Sequence, residues 1–340
     1  MEEQRKIIAL LDQLSQPGFL IREDQILQVN QAAGAMLIAP GDSFSSLLKT
    51  GSEDYAAFTS GQLSITLTVG EQDHSAVITR MEEGDLVLLD PDNIAEEFRS
   101  MALVSMELRK PLMQAITSAR QNPSDAKMNQ SLMQMLRMVS NMADIGRYSA
   151  CAQMELRDID SFLLEVFEKA KTLTEGRARI TFEGLKQPVF TLMDPEQLER
   201  AVWNILSNSL KFLPADGIIR ARLTRKGNRL YLTVEDNAAV QITPSELFNR
   251  YLRQPGIEDS RYGLGLGLAI VRAAAANHGG TLLISTGKET GMKVTLTVAL
   301  RQDTGTTLRS PLLCPDYTGG WDHALVELSD CLGAEYYTEL

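Results

Sequence analysis

Residues 261–280 read Arg-Tyr-Gly-Leu-Gly-Leu-Gly-Leu-Ala-Ile-Val-Arg-Ala-Ala-Ala-Ala-Asn-His-Gly-Gly, three alternating glycines that lead directly into an apolar helical stretch. Gly263, Gly265 and Gly267 allow the backbone to approach a charged oxygen closely, because no Cβ lies in the way. The helix that follows presents free N–H groups and the positive end of its dipole. The stretch therefore predicts a phosphate-binding helix N-terminus. A close crossing of helix and sheet is the alternative for alternating glycines alone.

A second stretch, residues 194–214, predicts an amphipathic helix that is capped by Asp194 and has proline in its first turn. Asn204, Asn208 and Lys211 follow one another at spacings of four and three, so they share one face of that helix. Amide oxygens and an ammonium group on one face suit a hydrated magnesium ion and a phosphate chain, since magnesium prefers oxygen ligands and keeps several waters. A solvated helix face is the alternative.

A third stretch, residues 229–237, alternates apolar and polar residues as a half-buried strand does. It ends on Asp236, whose carboxylate can accept a hydrogen bond from an exocyclic amine.

The order of these three stretches, with the His-Gly-Gly that closes the first, resembles the ATP-binding domain of sensor histidine kinases. That resemblance covers about residues 156–301 and implies a Bergerat-type α/β sandwich that binds ATP and Mg²⁺. It also implies roles for individual residues. Asn208 would be the magnesium ligand, Asn204 and Lys211 would face the phosphates, Asp236 would bind the adenine amino group, and the three glycines would surround the phosphate chain.

The composition is that of an ordinary globular protein of 340 residues, with 44% apolar residues and a net charge of −11. The negative charge argues against a general nucleic-acid or anionic-membrane surface. No apolar run reaches the roughly 18 to 20 residues of a membrane span, and the first residues do not form a signal peptide. We therefore expect a cytoplasmic protein. Cys151, Cys314 and Cys331 lack metal-site spacing, and we expect them to serve in packing.

Residues 1–92 predict a small α/β domain. An amphipathic helix over residues 4–14 is followed by a hairpin that turns at Glu23-Asp24 and by a helix capped by Asn30. Three strand-like segments come next, at 63–69, 75–81 and 86–89. This order resembles a PAS-type sensor domain. We expect His74 to lie on the surface, in a polar loop.

Residues 93–155 predict a helical hairpin with apolar stripes that need a partner, and therefore a dimeric four-helix bundle. Ser105-Met-Glu-Leu-Arg-Lys-Pro-Leu112 resembles the phosphoacceptor box of sensor kinases, but Met106 stands where that family has its histidine. A thioether cannot hold a phosphoryl group stably, so self-phosphorylation on this hairpin is excluded. Glu107 stands at the position of the family's base with nothing beside it to activate, and Lys110 replaces a small polar residue.

The chain also departs from the family pattern after Asp236, where Ala238 and Val240 replace glycines. The added methyl and the β-branch predict weakened nucleotide binding, because overpacking of this kind costs about 1 to 3 kcal/mol. Residues 241–262 predict a mobile lid. The tail, residues 303–340, is acidic and includes a stretch that predicts a short docked helix. An arm that binds a partner is the alternative.

The predicted fold class is α+β and multidomain. It comprises a PAS-like α/β sensor (1–92), an antiparallel helical hairpin for dimerisation (93–155), an α/β sandwich ATPase domain (156–302) and an acidic tail (303–340).

The sequence predicts a dimeric regulatory pseudokinase of signal transduction, which binds ATP and Mg²⁺ but lacks its own phosphoacceptor histidine. The alternative is an active ATP-dependent phosphotransferase or ATPase that acts on a residue of a partner protein. The partners we expect are a second copy of the chain and a response regulator or another kinase.

Overall fold

The computed structural model describes most of the chain. The described residues are 11, 14, 16–81, 84–89, 108, 112–113, 115–117, 125–145, 153–214, 217–238, 266–286, 291–301 and 318–338. Within them, no helix is both long enough and apolar enough to cross a membrane.

The N-terminal part is an antiparallel sheet with short helices between its second and third strands. Its elements are β1 (Gly18–Arg22), β2 (Gln25–Val29), α1 (Gln31–Ala35), a 3-10 helix (Phe44–Leu47), α2 (Ser52–Ala56), β3 (Gln62–Val69), β4 (Gln72–Met81) and β5 (Gly84–Leu89). The strand order is β2-β1-β5-β4-β3. Glu23 and Asp24 both have positive φ, as the tight turn of a two-residue hairpin requires. The predicted hairpin and the three later strands are confirmed.

Asn30 fixes the start of α1, as the sequence predicts. Its side-chain oxygen accepts from the Ala33 amide at 2.9 Å and from the Gly18 amide at 3.0 Å. Its amide nitrogen donates to three backbone carbonyls, those of Leu11, Leu14 and Gln16. One buried side chain therefore ties the segment before β1 to the first helix. The rest of the helix predicted over residues 4–14 lies outside the described residues.

The expectation that His74 lies on the surface is wrong. β4 begins at Gln72, so His74 belongs to the strand and pairs with Leu67 of β3. The period of two places His74 on the same face as Ala76 and Ile78, which is the core face. Its exposed fraction is 6%.

The C-terminal part is a two-layer sandwich of helices on a mainly antiparallel sheet. Its elements are β6 (Glu155–Asp158), α4 (Ile159–Leu173), β7 (Ala178–Glu183), β8 (Phe190–Met193), α5 (Pro195–Phe212), β9 (Gly217–Lys226), β10 (Arg229–Asp236), α6 (Leu266–Asn277), β11 (Leu282–Thr286) and β12 (Met292–Ala299). The sheet runs β11-β12-β10-β9-β7, and β6 pairs separately with β8. Leu230, Leu232 and Val234 of β10 pack in the core between this sheet and the helices. The predicted α/β sandwich is present.

The two sheets join into one, which the sequence did not predict. β3 of the N-terminal part pairs antiparallel with β11, and all the described strands except β6 and β8 form one ten-stranded sheet. At the junction Gly61 has φ +90°, and a Cβ there would meet the Ile284 carbonyl oxygen. Asp54 of α2 accepts hydrogen bonds from Arg229, Tyr231 and Thr281 at 3.1, 3.2 and 2.8 Å. The N-terminal part is therefore attached to the sandwich by backbone pairing and by one carboxylate.

The second helix of the predicted hairpin, α3 (Ala126–Ile145), lies against the sandwich. Its inner face contributes Leu132, Met133 and Leu136 to the sandwich core. Its outer face carries Met128, Met135 and Met138, whose exposed fractions are 49%, 41% and 47%. The sequence predicts that Leu132 and Met135 belong to one apolar stripe of this helix. In the structure they lie on different faces, because Leu132 packs inward while Met135 faces solvent. The first helix is described only at residues 108, 112–113 and 115–117.

The tail forms the short docked helix that the sequence predicts. α7 (His323–Glu327) begins after Asp322, whose side chain accepts from the amides of Ala324 and Leu325, and a 3-10 helix follows at Ala334–Tyr337. Leu328, Leu332 and Tyr337 are buried in the core that also contains α3 and α5.

Candidate nucleotide-binding site

The candidate site is built around α5. Asp194 caps this helix by accepting from the Gln197 amide at 3.1 Å, and Pro195 occupies its first turn, as predicted. Leu198, Val202, Ile205 and Leu206 form the buried stripe. The orientation of this stripe places the face with Asn204, Asn208 and Lys211 toward α3, α6 and the tail.

Asn204 lies where α5 meets the start of α6. Its side-chain nitrogen donates to the Arg200 carbonyl at 2.9 Å, and its oxygen accepts from Arg137 Nη2 at 3.4 Å. A Cβ at Gly267 would lie 2.8 Å from the Asn204 oxygen. The third glycine of the ladder therefore allows α6 to approach α5. This is a close crossing of two helices, whereas the alternative that we left open was a crossing of helix and sheet. Asn204 is 1% exposed, so the alternative of a solvated face does not apply to it.

Asn208 and Lys211 are half-buried on the next turns of α5. Asn208 presents an amide oxygen and Lys211 an ammonium group. This donor set fits a magnesium ion that takes one protein oxygen and completes its shell with water and phosphate oxygens. The Lys211 ammonium already has a partner, because its Nζ lies 2.9 Å from Oδ2 of Asp330 in the tail.

Asp236 lies at the end of β10 with its carboxylate held in place. Ser209 of α5 donates to Oδ2 at 2.7 Å, and the amides of Ala238 and Met292 donate to Oδ1 at 3.1 and 3.0 Å. The carboxylate keeps a fixed orientation beneath α5 and retains lone pairs for a further donor. Ser209 was missed at the level of sequence, although it lies only one residue beyond Asn208.

Ala238 is 3% exposed, and its backbone amide holds the Asp236 carboxylate. Its methyl group is therefore buried at the position where the sequence predicts that it crowds a bound nucleotide.

His278 joins the end of α6 to the start of α5. Its Nε2 accepts from the Asp194 amide at 2.9 Å, and its Nδ1 lies 2.7 Å from the Ala274 carbonyl oxygen. Nε2 accepts a hydrogen bond, so the ring is neutral and Nδ1 donates. Burial lowers the pKa of His278 and outweighs the hydrogen bond to Ala274. This histidine holds the cap of α5 in position.

The tail brings two carboxylates to the candidate site. Glu327 is fully buried, and its two oxygens each lie 3.0 Å from a guanidinium Nε, one of Arg137 and one of Arg200. Asp330 accepts from Arg137 Nη1 at 2.8 Å as well as from Lys211. Burial alone would lower the pKa of Arg137, but the charges of Glu327 and Asp330 raise it overall, so this arginine stays charged.

Several positions on which the sequence interpretation depends lie outside the described residues. They are Met106, Glu107, Lys110, Val240, Gly263, Gly265, Cys151, Cys314 and the lid at 241–262. The structure brings together Asn204, Asn208, Lys211, Gly267 and, below them, Asp236.

The part of the chain that contains the candidate site is similar to known proteins. Residues 193–302 match the family described as histidine kinase-, DNA gyrase B- and HSP90-like ATPases. The chain is 30% identical over 215 residues to the sensor histidine kinase TmoS of Ectopseudomonas mendocina, a match that covers 57% of this chain and 22% of TmoS. It is 28% identical over 201 residues to the sensor histidine kinase CusS of Escherichia coli K12, covering 54% of this chain and 41% of CusS.

Among solved structures, full-length ShkA in complex with AMPPNP resembles this chain with a TM-score of 0.48 and 21% identity, covering 60% of this chain and 46% of ShkA. The chain spans less than half the length of these relatives. Residues 193–302 thus belong to an ATPase domain of the kind found in histidine kinases, DNA gyrase B and HSP90, and the chain is similar in part to sensor histidine kinases. A domain of this family implies ATP and Mg²⁺ as ligands in general.

Proposed function

We propose that this chain is a cytoplasmic, sensor-histidine-kinase-like signal-transduction protein that binds MgATP without transferring phosphate to itself. The observation that carries the proposal is the joint placement of Asn204, Asn208 and Lys211 on α5, with Gly267 beside them and Asp236 beneath. In this assignment Asn208 gives an oxygen to magnesium, Lys211 and the α6 N-terminus face the phosphates, and Asp236 accepts from the adenine amino group.

The regulatory part of the proposal rests on the sequence of the hairpin. By the resemblance to the phosphoacceptor box, Met106 replaces the phosphoacceptor histidine, and Lys110, four residues further on, replaces a small polar residue. ATP is then a ligand that shifts a conformational equilibrium, which a partner such as a response regulator or another kinase detects. The residues before 92 support a PAS-like sensor, because their strands and helices follow the order on which that resemblance rests.

Titration of the purified full chain with MgATP tests the nucleotide site. Asn208→Ala and Lys211→Ala should each weaken binding about tenfold or more, because each removes a contact with a charged group. Lys171→Ala is the matched control, since Lys171 is exposed on α4 and pairs only with Glu168 among the described residues. Equal affinities in all four proteins would contradict the site.

The alternative, a phosphotransferase or ATPase acting on a partner protein, is favoured by the retained Asn208, Lys211 and Asp236. Radiolabelled ATP separates the two functions. The regulatory proposal expects no phosphate release above that of the Lys211→Ala variant, whereas turnover by the parent protein alone would favour the enzyme.

A further inference from the structure

The tail segment, residues 318–338, is built into the protein beside the candidate site. Gln130 and Gln134 of α3 both donate to the Ser329 carbonyl, at 2.9 and 3.1 Å, and Asn129 donates to the Tyr337 carbonyl at 2.8 Å. These contacts join α3 to backbone groups of the tail. The tail therefore has a fixed register along α3, and its acidic residues come to defined positions.

Glu327 anchors the segment. It is fully buried and bridges Arg137 of α3 and Arg200 of α5, and Arg200 also donates to the Asn141 side chain at 2.8 Å. A buried carboxylate that is shared by two guanidinium groups leaves an uncompensated charge if it moves away. This anchor keeps the following residues, including Asp330, over the C-terminal half of α5.

Asp330 differs from Glu327 in its accessibility. Its side chain is 35% exposed, and its partner Lys211 is 14% exposed. Asp330 also accepts from Arg137 Nη1 at 2.8 Å, but Arg137 keeps Glu327 as its partner when Asp330 moves. Water and ions can reach the pair of Asp330 and Lys211, so this pair opens at a smaller cost than the buried anchor. Lys211 is the residue whose ammonium group we assign to the phosphates of the nucleotide. A carboxylate and a phosphate chain repel each other when they face the same ammonium group.

We propose that the tail segment is an internal competitor for nucleotide, in which the Asp330 carboxylate occupies the phosphate position at Lys211 until MgATP displaces it. The proposal rests on the proposed nucleotide site and adds its regulation. Glu327 stays in place as the anchor while the residues around Asp330 move. Any partner that draws Asp330 away from Lys211 would then tighten nucleotide binding.

Calorimetric titration of the full chain with MgATP tests the competition. Asp330→Asn keeps the side-chain shape and removes the charge, and it should tighten binding about three- to fivefold, the effect of losing one accessible ion pair. Glu335→Gln, which removes an exposed charge from the same segment, should leave the affinity unchanged. In a Lys211→Ala background, Asp330→Asn should bring no gain, because the competition acts through that lysine. Asp330→Ser serves as the second variant if the asparagine form does not fold.

The outcomes separate the two proposals. Suppose that the parent binds MgATP, that Lys211→Ala weakens this binding, and that Asp330→Asn and Glu335→Gln have the same affinity. The proposed competition by Asp330 is then refuted, while the nucleotide site is supported. If neither the parent nor Asp330→Asn binds, the nucleotide site itself is refuted, and the competitor with it. Amide hydrogen exchange gives an independent readout. Saturating MgATP should speed exchange in residues 328–332 of the parent, and unchanged exchange would also overturn the competitor.

Discussion

At the scale of single residues, His278 shows how a side chain can serve the candidate site without touching a ligand. Its ring accepts from the Asp194 amide, so it fixes the cap of the helix that carries Asn204, Asn208 and Lys211. The ring performs this role only when it is neutral. Burial lowers its pKa in the folded protein below the value of 6.5 that applies to the unfolded chain.

This difference predicts a loss of stability in acid. Above pH 6.5 both states are neutral at this site and the contribution of His278 is constant. As the pH falls below 6.5 the unfolded chain takes up the proton first, and the free energy of unfolding decreases by up to about 1.4 kcal/mol per pH unit until the folded pKa is reached. Urea denaturation between pH 8 and pH 5 measures this slope. His278→Gln should reduce it, and an identical slope in the variant would refute the role.

Gly267 carries a second prediction at this scale. A methyl group at this position would lie 2.8 Å from the Asn204 oxygen, so Gly267→Ala should separate α6 from α5. We expect a loss of about 1 to 3 kcal/mol in stability and weaker MgATP binding. The control is Gly34→Ala in α1, where an added Cβ meets nothing within 4 Å, and where alanine should be neutral or stabilising by up to about 1 kcal/mol. Thermal unfolding measures the stability of both variants, and equal stability of Gly267→Ala and Gly34→Ala would contradict the prediction.

At the scale of helices and strands, the sequence predicts the features that depend on residues close together in the chain. The cap at Asp194, the proline of the first turn and the apolar stripe define α5, and the alternation of β10 ends at Asp236 in both the sequence and the structure. A helix is also predicted where α7 lies, from the helical spacing of Leu325, Leu328 and Leu332, but α7 ends at Glu327, so Leu328 and Leu332 lie beyond it.

Contacts between distant segments were not predicted. The ion pairs of Glu327 and Asp330 join helices that are far apart in the chain, and no local pattern indicates which acid meets which base. The error at His74 has a related cause. The polar residues around it are typical of a loop, but pairing with β3 extends β4 back to Gln72.

The exposed methionines on the outer face of α3 allow a test of the dimer that the sequence predicts. Met128, Met135 and Met138 recur at spacings of seven and three, the period of a helix that packs against another helix, and all three are exposed. Replacing Met135 and Met138 with glutamate should convert the full chain from dimer to monomer in analytical ultracentrifugation. Leu37→Glu is the control, since Leu37 is 90% exposed on the N-terminal part. A parent protein that sediments as a monomer at micromolar concentration would contradict the dimer.

At the scale of the whole molecule, the junction of β3 with β11 joins the strands of the N-terminal part and those of the sandwich into one sheet. Asp54→Ala should loosen this junction at a cost of about 1 to 3 kcal/mol, because Arg229, Tyr231 and Thr281 lose their shared acceptor. Hydrogen exchange of the β3 and β11 amides should become faster. Glu53→Ala, an exposed neighbour on the same helix, should change neither. Unchanged exchange in Asp54→Ala would show that backbone pairing alone holds the parts together.

The same junction determines how the protein tolerates truncation. If residues 1–92 are removed, β11 becomes an edge strand with unpaired backbone groups, and Leu283, which packs against the N-terminal core, becomes exposed. Edge strands with apolar side chains pair readily with one another. A shortened protein would therefore associate through β11 in addition to α3, and it would sediment as an oligomer larger than the dimer expected from the helical hairpin. Covering this edge is thus a solubility function of the N-terminal part.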